Sequence, residues 1–172
     1  NKIVKRDFDF SSLVSSEILA EDIKPFLCSE LDSYKLIFIN GVFNKSLSIL
    51  DSNDKFFVGS LKQGMKEMPD IIEAHYGKLA DTKQSLVALN TAMANEGAFV
   101  YVKKGVKLDK LVQILFVNTN HEESRMMQTR NLFVLEDFAE VQIFERHQAF
   151  NQGHVFSNSV TESSVGNQAH FK

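Results

Sequence analysis

The spacing of apolar residues changes near Gly97, and this change limits the folds that the chain can adopt. Between about Ser60 and Asn95, apolar side chains recur every three or four positions, as they do on one face of an α-helix. After Gly97, short runs of β-branched and aromatic residues follow one another, joined by polar segments. Such runs are typical of β-strands. The sequence therefore predicts a helical part followed by a β-rich part.

The β-rich part contains strand-like runs that start about 10 to 20 residues apart. They occupy residues 99–102, 112–117, 131–135, 141–144 and 155–160. Strands at this spacing favour a sandwich or a β-solenoid, and the gaps are too irregular for periodicity alone to select the solenoid. We expect apolar side chains of these strands to line an interior. They include Phe99, Ile114, Leu132 and Val141.

The part before Gly97 carries signals for a hairpin and for helix ends. Asn40-Gly41 separates two apolar runs, and this dipeptide favours a type I′ turn because both positions accept a positive φ angle. Pro69 is expected to open a helix, and Gly97 is expected to end one. The change of period predicts two parts, residues 1–96 and residues 97–172.

Composition excludes several classes of protein. The formal net charge at pH 7 is −3, and no strongly basic block is available to neutralise nucleic-acid phosphates. The densest basic stretch, residues 103–110, is interpreted as a solvated turn between strands. The longest apolar runs have about five residues, whereas a membrane-spanning helix needs ~20. Cys28 is the only cysteine, which with the lack of a leading signal segment favours a cytoplasmic protein.

Two short motifs have a chemical and a structural interpretation. Residues 40–46 place Lys-Ser after a strand, but Asn44 and Ile39 occupy the glycine positions of a phosphate loop, so we reject nucleotide binding there. The same segment contains a glycosylation acceptor sequence, which matters only in a secretory compartment. Glu145 and His147 share one face of a predicted strand, and with His154 they form an alternative metal site. The favoured interpretation is that Glu145 and Arg146 form solvated or inter-strand polar pairs.

No residue is assigned a catalytic, cofactor-binding or metal-binding role. We predict that His75 is a partly buried packing residue and that His121 lies in a loop. Cys28 lies among apolar residues and is predicted to be buried rather than reactive, because a reactive thiol needs cationic neighbours. The sequence contains no Gly-x-Ser-x-Gly nucleophile elbow.

A longer pattern resembles a known family. Ala-Leu-Asn-Thr-Ala at residues 88–92 leads through Gly97 to Val-Lys-Lys-Gly-Val at residues 102–106. This arrangement resembles the SufB/SufD family of the SUF iron–sulfur cluster assembly system. Residues 130–147 look like successive strands of that family, and residues 35–48 are similar to its upstream segment. The chain looks more like SufD than SufB, although Leu111 stands where the family usually has proline.

The resemblance implies a mainly β fold with an N-terminal α/β part, in which a hairpin and helices precede a right-handed parallel β-helix. It also implies a non-catalytic scaffold subunit with a SufB-like paralogue and a SufC-like ATPase as partners. The chain then resembles a fragment that lacks the C-terminal part of the family. No cofactor is expected in the fragment itself, and an iron–sulfur cluster is expected only in the assembled complex. Family residues proposed for cluster chemistry lie in later parts, so none is transferred here.

Two other classes of function stay open from the residues. One is a β-helix enzyme that acts on acidic polysaccharide, which needs clustered carboxylates or an Arg and Lys set on one face. The other is a β-rich binding module with an unrelated partner. If the chain is a solenoid whose last rung is uncovered, we expect it to self-associate through residues 155–172, because uncovered strand edges pair readily with other chains.

Overall fold

The computed structural model describes residues 18–94, 96–119, 125–150 and 155–172, which form a mainly β structure with short helices. The helices are α1 (Ala20–Ile23), a 3₁₀ helix (Lys24–Phe26), α2 (Leu61–Glu67), α3 (Pro69–His75) and α4 (Ser85–Met93). The strands are β1 (Ser33–Ile39), β2 (Val42–Phe43), β3 (Phe56–Ser60), β4 (Ala98–Val102), β5 (Leu111–Asn118), β6 (Arg125–Leu135), β7 (Glu140–Val141), β8 (Ile143–Ala149), β9 (Val155–Val165) and β10 (His170–Phe171). No helix in this described part is long and apolar enough to cross a membrane.

The strands lie in two larger sheets and one small sheet. The first sheet has the order β3-β4-β6-β9, the second has the order β2-β1-β5-β8, and the small sheet pairs β7 with β10. The β1–β2 and β3–β4 pairs are antiparallel, whereas the remaining strand pairs are parallel. From β4 onward, each strand lies in a different sheet from the strand before it, and parallel neighbours lie roughly 30 residues apart along the chain. The chain therefore returns to each sheet at a regular interval.

The same tight turn recurs after β4, β6 and β9. In each turn the fourth residue donates its N–H to the carbonyl of the first, as in Val106 to Lys103 at 3.0 Å and Ala139 to Glu136 at 3.1 Å. The third residue has a positive φ angle in all three turns: Gly105 (69°), Phe138 (60°) and Gln168 (54°). The first turn leaves Lys103 and Lys104 exposed, as predicted for the basic stretch.

The hairpin and helix signals are confirmed in part. Asn40 and Gly41 both have positive φ angles and join β1 to β2 in the predicted hairpin. Pro69 begins α3 as predicted. Gly97 does not end α4, which stops at Met93. Glycine is instead required at position 97 because the backbone of β6 passes close by: a Cβ atom there would lie 1.8 Å from the carbonyl oxygen of Arg130.

The main core lies between the two larger sheets, and we call the strand faces that line it the inner faces. Ile114 and Val141 belong to this core, as predicted. Phe99 and Leu132 are fully buried but lie on the opposite face of the first sheet, so the prediction that they line the same interior is wrong. Helices α2 and α3 cover that outer face. The alternation of side chains along β4 and β6 explains the difference, because neighbouring residues point to opposite faces.

Candidate functional site

A buried ion pair joins the two longest strands. Arg130 on β6 donates to one carboxylate oxygen of Glu162 on β9, from Nη2 at 2.8 Å and from Nε at 3.1 Å. Both side chains are 1% exposed. The guanidinium carbon also lies 5.5 Å from the centre of the ring of Tyr76, the residue that follows α3. The pair lies on the outer face of the first sheet, where the chain would otherwise bury apolar groups.

Glu162 also fixes the connection between α3 and α4. Its carboxylate accepts backbone N–H groups from Gly77 at 2.9 Å, Leu79 at 2.8 Å and Ala80 at 3.0 Å. Burial opposes ionisation of this carboxyl, but hydrogen bonds from Arg130 and from the three amides outweigh it and lower the pKa of Glu162. The ionised carboxylate is thus the form that the fold stabilises.

Asn90 attaches α4 to the same network. It is fully buried, and its amide nitrogen donates to the carbonyl oxygens of Thr129 at 2.8 Å and Asn158 at 2.9 Å. Its amide oxygen accepts from Nη1 of Arg130 at 3.2 Å. Leu86 on the same helix is 50% exposed. Helix α4 therefore turns the polar side chain of Asn90 toward the sheet and leaves the apolar side chain of Leu86 exposed.

A second buried carboxyl lies where the chain enters β4. Glu96 is 5% exposed, and its side chain accepts the backbone N–H of Gly97 at 3.2 Å and that of Lys62 at 3.4 Å. Burial raises the pKa of Glu96 despite these hydrogen bonds. The backbone carbonyl of Glu96 accepts from the N–H of Arg130, which places Glu96 beside the buried ion pair.

At one end of the sheets, the edge strands have no further strand paired to them among the described residues. Strands β8, β9 and β10 are each the last strand of their sheet, and each follows its parallel partner along the chain. Val165 on β9 is 45% exposed and Phe171 on β10 is 39% exposed. The N–H of Ile143 on β8 donates to the carbonyl of Lys172 at 2.8 Å. Apart from this bond at the start of β8, no described strand covers these edges, and together with the exposed apolar side chains they form a surface suited to strand addition.

The structure brings Glu145 and His147 together, as their spacing predicts. Nε2 of His147 lies 2.8 Å from Oε1 of Glu145, and the imidazole stacks on Phe116 with 4.7 Å between ring centres. His154, the third residue of the alternative metal site, lies outside the described residues. Glu145 accepts from the amide of Asn131 on β6 at 3.4 Å, and Arg146 donates to Gln148 at 3.4 Å. The guanidinium of Arg146 also lies over the ring of Phe26, 5.0 Å from the ring centre.

The other candidate residues have structural surroundings. His75 is partly buried, as predicted, and His121 lies outside the described residues. Cys28 is only partly buried, which corrects the prediction of a buried residue. Its backbone exchanges hydrogen bonds with the buried side chain of Gln113. Asn44 accepts the N–H of Leu47 with its side chain, in a local turn.

Comparison with known proteins decides the family. Residues 1–114 match the family model of the SufBD protein N-terminal region. The chain belongs to the SufB/SufD family. This membership confirms the resemblance seen in the sequence.

Curated relatives in the SufB/SufD family are named as iron–sulfur cluster assembly proteins. The chain is 27% identical to a SufBD family protein of Synechocystis over 95% of its own length, and 25% identical to SufD of Bacillus subtilis over 96%. It spans 38% of the length of each of these two relatives. It is also 34% identical to SufB of Bacillus subtilis over 47% of its own length, which is 17% of that relative.

The structure gives the SufB/SufD motif a physical role. The Asn of the Ala-Leu-Asn segment is Asn90, the residue that attaches α4 to β6 and β9. Gly97 leaves room for the backbone at Arg130. Sequence analysis did not single out Glu162 or the Arg130 side chain. The sequence signal for them is a charged residue inside a strand-like run, followed about 30 residues later by a residue of opposite charge in the next such run.

Proposed function

We propose that the chain is part of a scaffold subunit of an iron–sulfur cluster assembly complex and acts by binding other proteins. The observation that carries this proposal is the match of residues 1–114 to the SufBD family model. The outer edges of β8, β9 and β10, to which no further described strand is paired, offer a surface for protein contacts. Family membership supports a role in cluster assembly, because the curated relatives are named for it. Family membership therefore favours a role in cluster assembly over the alternative of an enzyme that acts on polysaccharide.

The fold that we propose for this scaffold is a right-handed parallel β-helix capped by the N-terminal hairpin and helices. Parallel pairing at intervals of roughly 30 residues supports it, as do the three equivalent turns. The antiparallel strands β2 and β3 lie at the opposite end of the sheets from β8 and β9, where they end the parallel pairing. On this proposal, each coil covers the apolar side chains of the one before it.

We further propose that the subunit is of the SufD type, is cytoplasmic and has no catalytic activity of its own. Its partners would be a SufB-like paralogue and a SufC-like ATPase, with any iron–sulfur cluster held only by the assembled complex. The match to SufD along 96% of the chain supports the SufD type, whereas the match to SufB covers 47%. The order of the hairpin, the helical pair and the Ala-Leu-Asn segment supports it further.

The test is co-purification with the SufB-like and SufC-like proteins encoded in the same genome. We expect the wild-type protein to elute with both as one complex whose mass is measured by light scattering. Phe171→Glu, at the free edge of β10, should weaken that complex, because a charge at an apolar strand edge opposes pairing. The matched control is Ile49→Glu, which changes a residue of similar exposure beside β1, at the opposite end of the second sheet. Absence of any complex with either protein would contradict the scaffold proposal.

The same edge predicts self-association of the purified chain. Light scattering at micromolar concentration should detect a species larger than the monomer, and Phe171→Glu should shift it toward the monomer. The control Ile49→Glu should leave the distribution unchanged. A monomer that persists at high concentration would contradict this part of the proposal.

A further inference from the structure

The inner face of the second sheet changes from apolar to polar between β5 and β8. Ile114 and Phe116 on β5 belong to the main core. Their register partners on β8 are Glu145 and His147, one coil later. Stacking of His147 on Phe116 confirms that the imidazole lies on the inner face. A carboxylate and an imidazole thus occupy positions that hold apolar side chains in the preceding coil.

The facing strands carry hydroxyl and amide groups on their inner faces. Asn131 on β6 donates to Glu145 at 3.4 Å and to the hydroxyl of Thr161 on β9 at 3.2 Å. Thr129 lies two residues earlier and so shares the inner face with Asn131. Thr129 is 3% exposed, and its hydroxyl has no hydrogen-bond partner among the described residues. The hydroxyl of Ser159, its register partner, is also without one there.

The charge of Glu145 is not balanced by a lysine or arginine in the described part of the chain. The contrast is with Glu162, whose carboxylate is neutralised by Arg130. The ion pair recorded for Glu145 is with His147 alone, and an imidazole is charged only when it is protonated. The side chains of Glu145 and His147 are 28% and 38% exposed, so an ion from solvent can reach both of them. The facing strands carry the hydroxyls of Thr129 and Ser159, which have no partner among the described residues. The site therefore has the charge and the donor atoms to hold a cation.

We propose that Glu145 and His147 bind a divalent transition-metal ion on the inner face of the coil. A carboxylate oxygen and an imidazole nitrogen suit Zn²⁺ or Fe²⁺ better than Mg²⁺, which prefers oxygen ligands alone. On binding, Nε2 of His147 turns from its hydrogen bond with Glu145 to the metal, and a neutral ring moves its proton to Nδ1. Phe116 holds the ring plane by stacking on the imidazole, and water fills the remaining coordination positions.

The experiment titrates the purified protein with Zn²⁺ by calorimetry and with Co²⁺ by visible absorption. We expect one ion per chain at this site, and affinity at least about tenfold lower in both Glu145→Gln and His147→Gln. The matched control is His170→Gln, which removes an exposed imidazole from β10. It should leave the affinity unchanged. Mg²⁺ should not compete with either ion.

A measurement on the wild-type protein tests the site even if the variants fail to fold. Nitrogen-15 NMR of the wild-type histidines should show Zn²⁺ changing the signal of His147 Nε2, with the ring proton moving to Nδ1. An unchanged His147 spectrum at saturating Zn²⁺ would overturn the proposal, as would equal affinity in folded Glu145→Gln. Neither outcome bears on partner binding, so the metal site and the scaffold function fail or stand separately.

Discussion

The guanidinium of Arg130 lies 2.8 Å from the carboxylate of Glu162, and both side chains are 1% exposed. Water therefore cannot solvate either charge, and each depends on the other and on nearby hydrogen bonds. Because Glu162 also accepts the N–H groups of Gly77, Leu79 and Ala80, the pair connects the helical segment to the sheet. The position of α4 is thus coupled to the pairing of β6 with β9.

We expect Glu162→Gln to destabilise the protein by about 3–5 kcal/mol, because it leaves the buried charge of Arg130 without its partner. Urea unfolding followed by circular dichroism measures the change in the free energy of unfolding. The matched control is Glu140→Gln, which breaks the surface pair with Lys107 at 2.9 Å. That pair is exposed to solvent, so its loss should change stability little. Equal effects of the two substitutions would contradict the role assigned to the buried pair.

The lowered pKa of Glu162 predicts loss of stability in acid. A carboxyl whose pKa is lower in the folded state than in the unfolded state stabilises the protein above its unfolded pKa. That contribution is lost as the pH falls below about 4 and through the folded pKa. The free energy of unfolding, measured by urea titration at several pH values, should therefore decline in acid more steeply in the wild type than in Glu162→Gln.

Glu96 provides a comparison of opposite sign. Its pKa is raised in the folded state, so its contribution to stability is present below the unfolded pKa and is lost as the pH rises through the folded pKa. Glu96→Gln mimics the protonated form. Its stability relative to the wild type should increase from acid toward neutral pH. If the stability of both variants relative to the wild type changed in the same direction with pH, at least one of the two assignments would be wrong.

The sequence predicted the elements of this fold better than their relative positions. The strand-like runs, the Asn40-Gly41 hairpin and the start of α3 at Pro69 follow from local preferences, so they are readable without the structure. The burial of Phe99 was also predictable, but its face was not. Which face of a strand meets the main core depends on where α2 and α3 pack, and no local pattern contains that information.

The buried polar network was missed for a related reason. Asn90 lies in a helix whose apolar periodicity predicts an apolar buried face, whereas the structure buries the amide and exposes Leu86. The amide is buried because Arg130 and the carbonyls of Thr129 and Asn158 need partners there. These partners lie 39 to 68 positions away, beyond the reach of a local pattern.

Gly97→Ala should destabilise the protein by about 3 kcal/mol or more, since the new Cβ would overlap the backbone of Arg130 at 1.8 Å. Backbone atoms of a paired strand cannot move aside as a flexible side chain does. The control is Gly105→Ala, where no heavy atom lies within 4 Å and only the φ angle of 69° opposes alanine. It should cost about 1 kcal/mol. Thermal and urea unfolding of the two variants would reveal the difference, and a milder effect at Gly97 would refute the close approach.

Gln168→Gly should stabilise the protein by up to about 1 kcal/mol. Gln168 is exposed and has a φ angle of 54°, a conformation that glycine adopts at no steric cost. It holds the position that Gly105 holds in the first of the three equivalent turns, so the substitution copies a residue that the turn already accepts.

Asn167→Gly, one residue earlier in the same turn, is the control. That position has no positive φ angle, so glycine there only gains freedom in the unfolded chain and should destabilise the protein by a few tenths to about 1 kcal/mol. Opposite signs in urea unfolding would support the shared turn geometry, whereas destabilisation by both substitutions would show that the third turn does not need the conformation that its first counterpart uses.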